Sequence, residues 1–244
     1  MRLSDLCLPM ACLVVGGCTT LPDAVSVRGL VTATHGSETP LSGAEVAILD
    51  EQGAEYDRGT TSETGSFTAE APAGMTIFAE VSASGFTTAS FTGTSGVEPA
   101  LYVERGVLHG MSDEAVGEWR TLFAGCEGSE AGGFVVGVAT LLGATELDSG
   151  EPVTVDTAYA SVLTADGQTL QGCYLDAEGT LADPEAIVSG ETGTFAVFGV
   201  PEGVHQLTVG YELGGSPVYE VTWPMWMPAD GVVPRFPVEL ELVH

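Results

Sequence analysis

The sequence predicts an all-β protein of two antiparallel β-sandwich domains, with a short helix in the connector between them. Three observations carry that prediction. Short β-branched and aromatic runs alternate with turns rich in Gly, Pro and acidic residues, at the spacing of roughly eight to twelve residues typical of sandwich strands. The heptapeptide Thr61-Ser62-Glu63-Thr64-Gly65-Ser66-Phe67 returns as Ser189-Gly190-Glu191-Thr192-Gly193-Thr194-Phe195, and each copy runs on to a Pro-x-Gly turn, Pro72-Ala73-Gly74 and Pro201-Glu202-Gly203. One structural unit is therefore used twice. Between the copies lies a stretch with helical rather than strand periodicity.

Each repeated element has a local reason. Gly65 and Gly193 supply the positive φ that tight hairpins demand, and the Phe two positions later is expected to point inward and anchor a core layer. After the Pro-x-Gly turns, Thr76-Ile77-Phe78-Ala79-Glu80-Val81 and Gln206-Leu207-Thr208-Val209 read as strands ending near Gly85-Phe86 and Gly210-Tyr211. Upstream, the run from Gly43 to Leu49 corresponds loosely to that from Ala158 to Leu163. In the connector, Ser112 reads as an N-cap followed by Asp113 and Glu114, which favour a helix start. Ala115, Val116, Trp119, Leu122 and Phe123 fall on one helical face, and Gly125 is placed to end the helix. A sandwich of about 70 residues buries only about 60% of its chain surface, so Trp119 and Phe123 are expected to pack against one or both sandwiches.

The amino terminus supplies an address. Arg2 precedes an apolar run from Leu6 to Val15, interrupted by Pro9 and followed by Gly16-Gly17-Cys18. This is signal-peptide order, and ten residues fall short of the roughly 20 that a membrane-spanning helix needs. The segment resembles the cleavage and acylation site of bacterial lipoproteins. That resemblance implies that Cys18 becomes the first mature residue and is lipidated, and several acyl chains anchor stably where one is marginal. Thr19 and Thr20 stand where an aspartate would mark inner-membrane retention, so the implied location is the cell envelope, lipid-anchored at the outer membrane. Cys7 and Cys12 would leave with the signal, so Cys126 and Cys173 remain as an expected disulfide outside the cytoplasm.

Further residues carry a family resemblance. Val27-Arg28-Gly29-Leu30-Val31, Pro40-Leu41-Ser42-Gly43-Ala44-Glu45-Val46, the run from Thr61 to Phe67, Pro72-Ala73-Gly74 and Gly85-Phe86 together resemble the carboxypeptidase regulatory-like domain. That family has a small prealbumin-like, Ig-like sandwich with a carbohydrate-binding-like fold. The resemblance implies an accessory, non-catalytic module. It covers residues 26–95 and is weaker over 131–244, where an insertion holding Cys173 separates the middle strands. The resulting division is a signal peptide over 1–17, a tether over 18–25, a first sandwich over 26–95, a structured connector over 96–130 with its helix near 112–124, and a second, diverged sandwich over 131–244.

The chain carries 34 acidic against 6 basic side chains, a formal charge of −28, and has no Lys. Such a field repels phosphate backbones and anionic head groups, which excludes nucleic acid as a partner and leaves the lipid anchor as the membrane contact. An envelope protein or a polysaccharide remains as partner. The acids are spread singly, as on a solvated surface.

No catalytic constellation and no cofactor are expected. His35-Gly36-Ser37-Glu38 spells a His-x-x-Glu pair, but in a loop and without the third ligand that a catalytic zinc needs, so no metal is assigned. His109, His205 and His244 are scattered, His205 reading as a half-exposed strand residue. The insertion from Asp176 to Glu185 places four carboxylates in ten residues, an oxygen-rich loop suited to calcium, though without EF-hand spacing. Trp223-Pro224-Met225-Trp226-Met227-Pro228 reads as an edge or loop. Its indoles, Trp223 and Trp226, are candidate contacts for a sugar ring or a partner, against core filling by Trp223 and Met225. The leading expectation is a structural or protein-interaction lipoprotein; a carbohydrate-binding module comes second and a metal-dependent hydrolase last.

Overall fold

The computed structural model describes residues 24–96, 107–145, 152–181, 186, 188–213 and 216–240. The expected signal peptide, Cys18 and His244 lie outside the described residues. The first half contains β1 (Ala24–Thr32), β2 (Glu45–Leu49), β3 (Glu55–Thr60), β4 (Ser66–Pro72), β5 (Thr76–Ala83), β6 (Phe86–Thr94) and β7 (Val107–His109). A short β8 (Met111–Ser112) and α1 (Asp113–Leu122) follow. The second half contains β9 (Gly133–Thr145), β10 (Pro152–Thr154), β11 (Ala158–Leu163), β12 (Thr169–Gln171), β13 (Cys173–Tyr174), β14 (Thr194–Val200), β15 (Gly203–Leu213), β16 (Ser216–Met227) and β17 (Val232–Leu240).

The fold is the all-β sandwich architecture that the sequence predicts, and the two halves follow one plan. In the first, a sheet of order β4-β1-β7 packs on β3-β2-β5-β6; in the second, β13-β14-β9-β17 packs on β12-β11-β15-β16. The repeated heptapeptide does the same work in each. Gly65 and Gly193 have φ of +75° and +63°, and their carbonyls accept from Val31 N and Ala139 N at 2.8 and 3.0 Å. A Cβ at either glycine would stand 2.4 or 2.5 Å from the facing carbonyl oxygen of Val31 or Ala139, so close approach and left-handed backbone both demand Gly. Phe67 and Phe195 then point into the cores, paired across the ladder with Gly29 and Gly137. The hydroxyls that open the repeat also match. Thr61 Oγ1 donates to Leu41 O and accepts from Ala44 N; Ser189 Oγ donates to Val155 O and accepts from Ala158 N.

The antiparallel expectation holds except at the strand closing each half. β7 runs parallel to β1, and β17 runs parallel to β9 and to β6. The last contact, Val232 beside Ala89, fuses strands of both halves into one ten-stranded sheet. As a result β9 and β14 are covered on both faces. Val135, Phe195 and Val197 face the second core, while Phe134, Val136, Ala196 and Phe198 join the cluster that contains the first core.

The connector seals that second face. Ser112 caps α1, its Oγ accepting from Ala115 N at 3.1 Å. Val116 and Phe123 are buried; Phe123 stacks on Trp119 with ring centres 6.0 Å apart and meets Phe198 at 5.8 Å. Arg120 donates to Ser129 O and Gly132 O, and its guanidinium lies 5.0 Å from the centre of the Phe134 ring. Two local expectations are corrected. Leu122 is exposed, because about 100° per residue turns it away from the stripe formed by Val116, Trp119 and Phe123. The helix ends at Leu122 with Phe123 as its C-cap, and the positive φ falls at Gly128 rather than Gly125. Cys126 and Cys173 form the expected disulfide, tying the connector to β13. Cys173 lies at the start of that short edge strand, paired with Ala196.

Candidate functional site

The tryptophan segment from Trp223 to Met227 lies within β16, an edge strand of its sheet, and Pro228 follows the strand. Pro224 keeps register opposite Gln206, as an edge permits because the missing N–H is not needed for pairing there. Strand alternation sends Trp223, Met225 and Met227 to the second core, while Trp226 faces the first half. The two indoles therefore lie on opposite faces of one strand and do not make a shared stacking platform. Trp226 closes a small cluster with Ala47, Leu49, Phe78 and Val204. Its Nε1 donates to Glu80 Oε2 at 2.9 Å, and its ring covers Gly53, where a Cβ would stand 2.3 Å from Cζ3. Beside it, Thr92 Oγ1 donates to Pro224 O at 2.9 Å, and Arg235 Nη2 donates to Thr92 Oγ1 at 2.7 Å.

His205 is buried rather than half-exposed, at 4% accessibility. Its Nδ1 accepts from Ala165 N at 3.2 Å and its Nε2 donates to Pro201 O at 2.7 Å. The ring thus ties the β11–β12 hairpin to the turn before β15, and a cavity of about 250 Å³ opens beside it, lined by Leu163, Gln206 and Pro224 among others. In the acidic insertion, Asp176 accepts from Thr180 N at 2.8 Å and from Thr180 Oγ1 at 2.6 Å, and those bonds hold its carboxyl below the usual range. Asp183 and Glu185 lie outside the described residues. Among the described residues, no three His, Cys, Asp or Glu side chains gather to share a metal ion, and no helix is long and apolar enough to cross a membrane.

The sequence reading missed one side-chain constellation. His35, in the predicted loop after β1, lies against His109 at the end of β7, with ring centres 5.0 Å apart and planes inclined by 65°. The parallel pairing of β7 with β1 sets Thr32 beside His109 and so carries the loop over it. Phe91 packs edge-on against His109 at 5.1 Å. Burial, and secondarily the charge of His35, push the His109 imidazole down to about 4; burial also lowers His35. A cavity of about 230 Å³ opens alongside, lined by His35, Gly110, Met111 and Trp119 among others. Nothing local in the sequence places His35 beside His109, because the contact depends on the parallel pairing of β7 with β1.

No protein-family model matches the chain, and no curated protein does. Among solved structures, the Bacillus anthracis TIE protein aligns at 13% identity and a TM-score of 0.30, over 89% of this chain and 34% of that one. The chain thus spans about a third of that structure's length. The shaft pilin SpaA from Lactobacillus rhamnosus GG aligns at 11% identity and a TM-score of 0.25, over 91% of this chain and 98% of that one. A streptococcal ancillary pilin aligns at 12% identity and a TM-score of 0.25, over 92% and 64%. At these values the likenesses carry no argument about function.

Proposed function

We propose that the protein is a non-catalytic structural or protein-binding component of a bacterial cell envelope, acylated at Cys18 and anchored at the outer membrane. On this reading the first half is a carboxypeptidase regulatory-like module, as the ordered motifs from Val27 to Phe86 suggest, and the second half is a diverged copy of it. The observation that supports it is the fusion of the two sandwiches into one body. β17 bridges β9 and β6, α1 seals the outer face of β9 and β14, the disulfide pins the connector, and Trp226 locks β16 onto β5. A chain that spends its aromatic residues on joining its modules suits a stiff spacer or scaffold, whereas a hydrolase needs convergent reactive groups around a cleft.

The reading is tested by palmitate labelling and membrane fractionation of the wild type and Cys18→Ser. The expected result is label and outer-membrane association in the wild type only. Equal behaviour of both proteins would overturn the anchor, and turnover in a peptidase or glycosidase screen with purified protein would overturn the non-catalytic role.

A further inference from the structure

We propose that the groove between α1 and the loop after β1 is a docking site for a basic peptide segment of a partner protein, which inserts one bulky apolar side chain beside Trp119. The proposal deepens the protein-binding reading given above, and nothing in it depends on acylation of Cys18. The helix carries the first observation. Val116 and Phe123 turn one face of α1 into the core, and Trp119 packs on Phe123 at the border of that face. At about 100° per residue, Ala115, Trp119 and Leu122 form a second stripe along the neighbouring face. Ala115 and Trp119 are half-buried, and Leu122 is 37% exposed. The stripe borders the cavity of about 230 Å³, which Met111, Ala115, Trp119 and His35 help to line. It is mostly apolar and has room for one large side chain, as a pocket for an anchoring residue requires.

Charge selects the occupant. Round the helix, Glu118 and then Glu114 follow the apolar stripe on its solvent side, and Glu38 stands in the loop that carries His35; all three are exposed. The cation of α1, Arg120, is committed elsewhere, to Ser129 O and Gly132 O. Burial lowers the His35 imidazole, so that wall of the groove is neutral at pH 7. An apolar floor with an acidic border complements a segment that is apolar at one residue and basic on either side of it. The formal charge of −28 also draws such a segment in from a distance. The floor is preformed, because Ser112 caps the helix and Gly110 N donates to Thr32 O at 2.8 Å, so docking has little to order on this side. One pocket and its rim make a small interface, which suits a transient contact.

The test is the fluorescence anisotropy of a labelled Arg-Arg-Phe-Arg-Arg peptide titrated with the full chain, beside Arg-Arg-Ala-Arg-Arg and Glu-Glu-Phe-Glu-Glu. The basic Phe peptide is expected to bind saturably below about 1 mM. Its affinity should exceed that of the Ala peptide by about 10-fold, the scale of burying one large apolar side chain, and the acidic peptide should not bind. Ala115→Arg, which fills the mouth of the groove with a cation and keeps a good helix former, is expected to weaken binding by about 10-fold. Glu114→Gln with Glu118→Gln alters exposed side chains alone and is expected to weaken it about fivefold and to flatten its salt dependence. Thermal melting reports whether each variant is folded, and the Glu pair decides the matter if Ala115→Arg fails to fold. No saturable binding below about 1 mM would overturn the proposal, as would unchanged binding by either folded variant. Equal affinity for the Phe and Ala peptides would also overturn it, by reducing the interaction to diffuse attraction from net charge. None of these outcomes touches the labelling of Cys18 or the screen for turnover, so failure here is distinct from failure of the reading above.

Discussion

Replacing Trp226 by Ala tests whether the two sandwiches behave as one cooperative body. The indole is half-buried over Gly53, Leu49 and Phe78, and donates to Glu80. Removing a fully buried Trp costs about 3 to 5 kcal/mol, so half-burial here corresponds to about 2 kcal/mol. The lost hydrogen bond to a carboxylate adds about 1.5 kcal/mol, although Glu80 regains water. The sum, about 3 kcal/mol, corresponds to a fall of about 10 °C in Tm for a chain of this size. Urea melts followed by far-UV circular dichroism and by tryptophan fluorescence should show the wild type unfolding in one transition and Trp226→Ala in two, the halves having been uncoupled. Gly53→Ala should act in the same direction from the other side, because φ is +81° and the new Cβ meets the indole. A Trp226→Ala protein with one coincident transition, shifted by less than about 1 kcal/mol, would refute the coupling.

Three further outcomes are expected. Removing the disulfide by Cys126→Ser with Cys173→Ser opens a sequence separation of 47 residues and should destabilise the fold by about 4 kcal/mol on the chain-entropy account; an unchanged urea midpoint would contradict it. Ser189→Ala and Thr61→Ala should each cost about 1 to 3 kcal/mol, since each leaves a buried amide of Ala158 or Ala44 without its acceptor. Costs near zero in denaturant melts would show that water replaces the hydroxyls. Burial pushes the Tyr174 hydroxyl up to about 12 from 10.0. Its folded value lies above its unfolded one, so its contribution is complete below pH 10 and is lost as pH rises from 10 to 12, by up to about 3 kcal/mol. Alkaline urea midpoints of wild type and Tyr174→Phe should therefore converge over that window; parallel slopes would refute the assignment.

The apolar runs at Phe134-Val135-Val136 and Phe195-Ala196-Val197-Phe198 show how far the sequence could be read. Continuous apolar residues in a strand mean burial on both faces, yet they do not name the second cover, which turned out to be the connector helix. The same division runs through the candidate sites. Strand alternation alone puts Trp223 and Trp226 on opposite faces, but only the packing of β16 across β5 reveals that Trp226 meets Glu80. His205 reads as a half-exposed strand residue until the β11–β12 hairpin folds over it.

What the sequence determined by itself was local: the repeated Gly-x-Phe turns, the Ser112 cap and the alternation of strands. A turn glycine, a cap or a strand period depends on backbone sterics and hydrogen bonds within a few residues. Only the tertiary structure decided that β7 and β17 run parallel to the strands that open their halves, that β17 joins the two sandwiches, and that His35 lies on His109. Those contacts join residues far apart in the chain. Their partners are chosen by which apolar faces can be buried together, a property of the assembled sheets that no short segment contains.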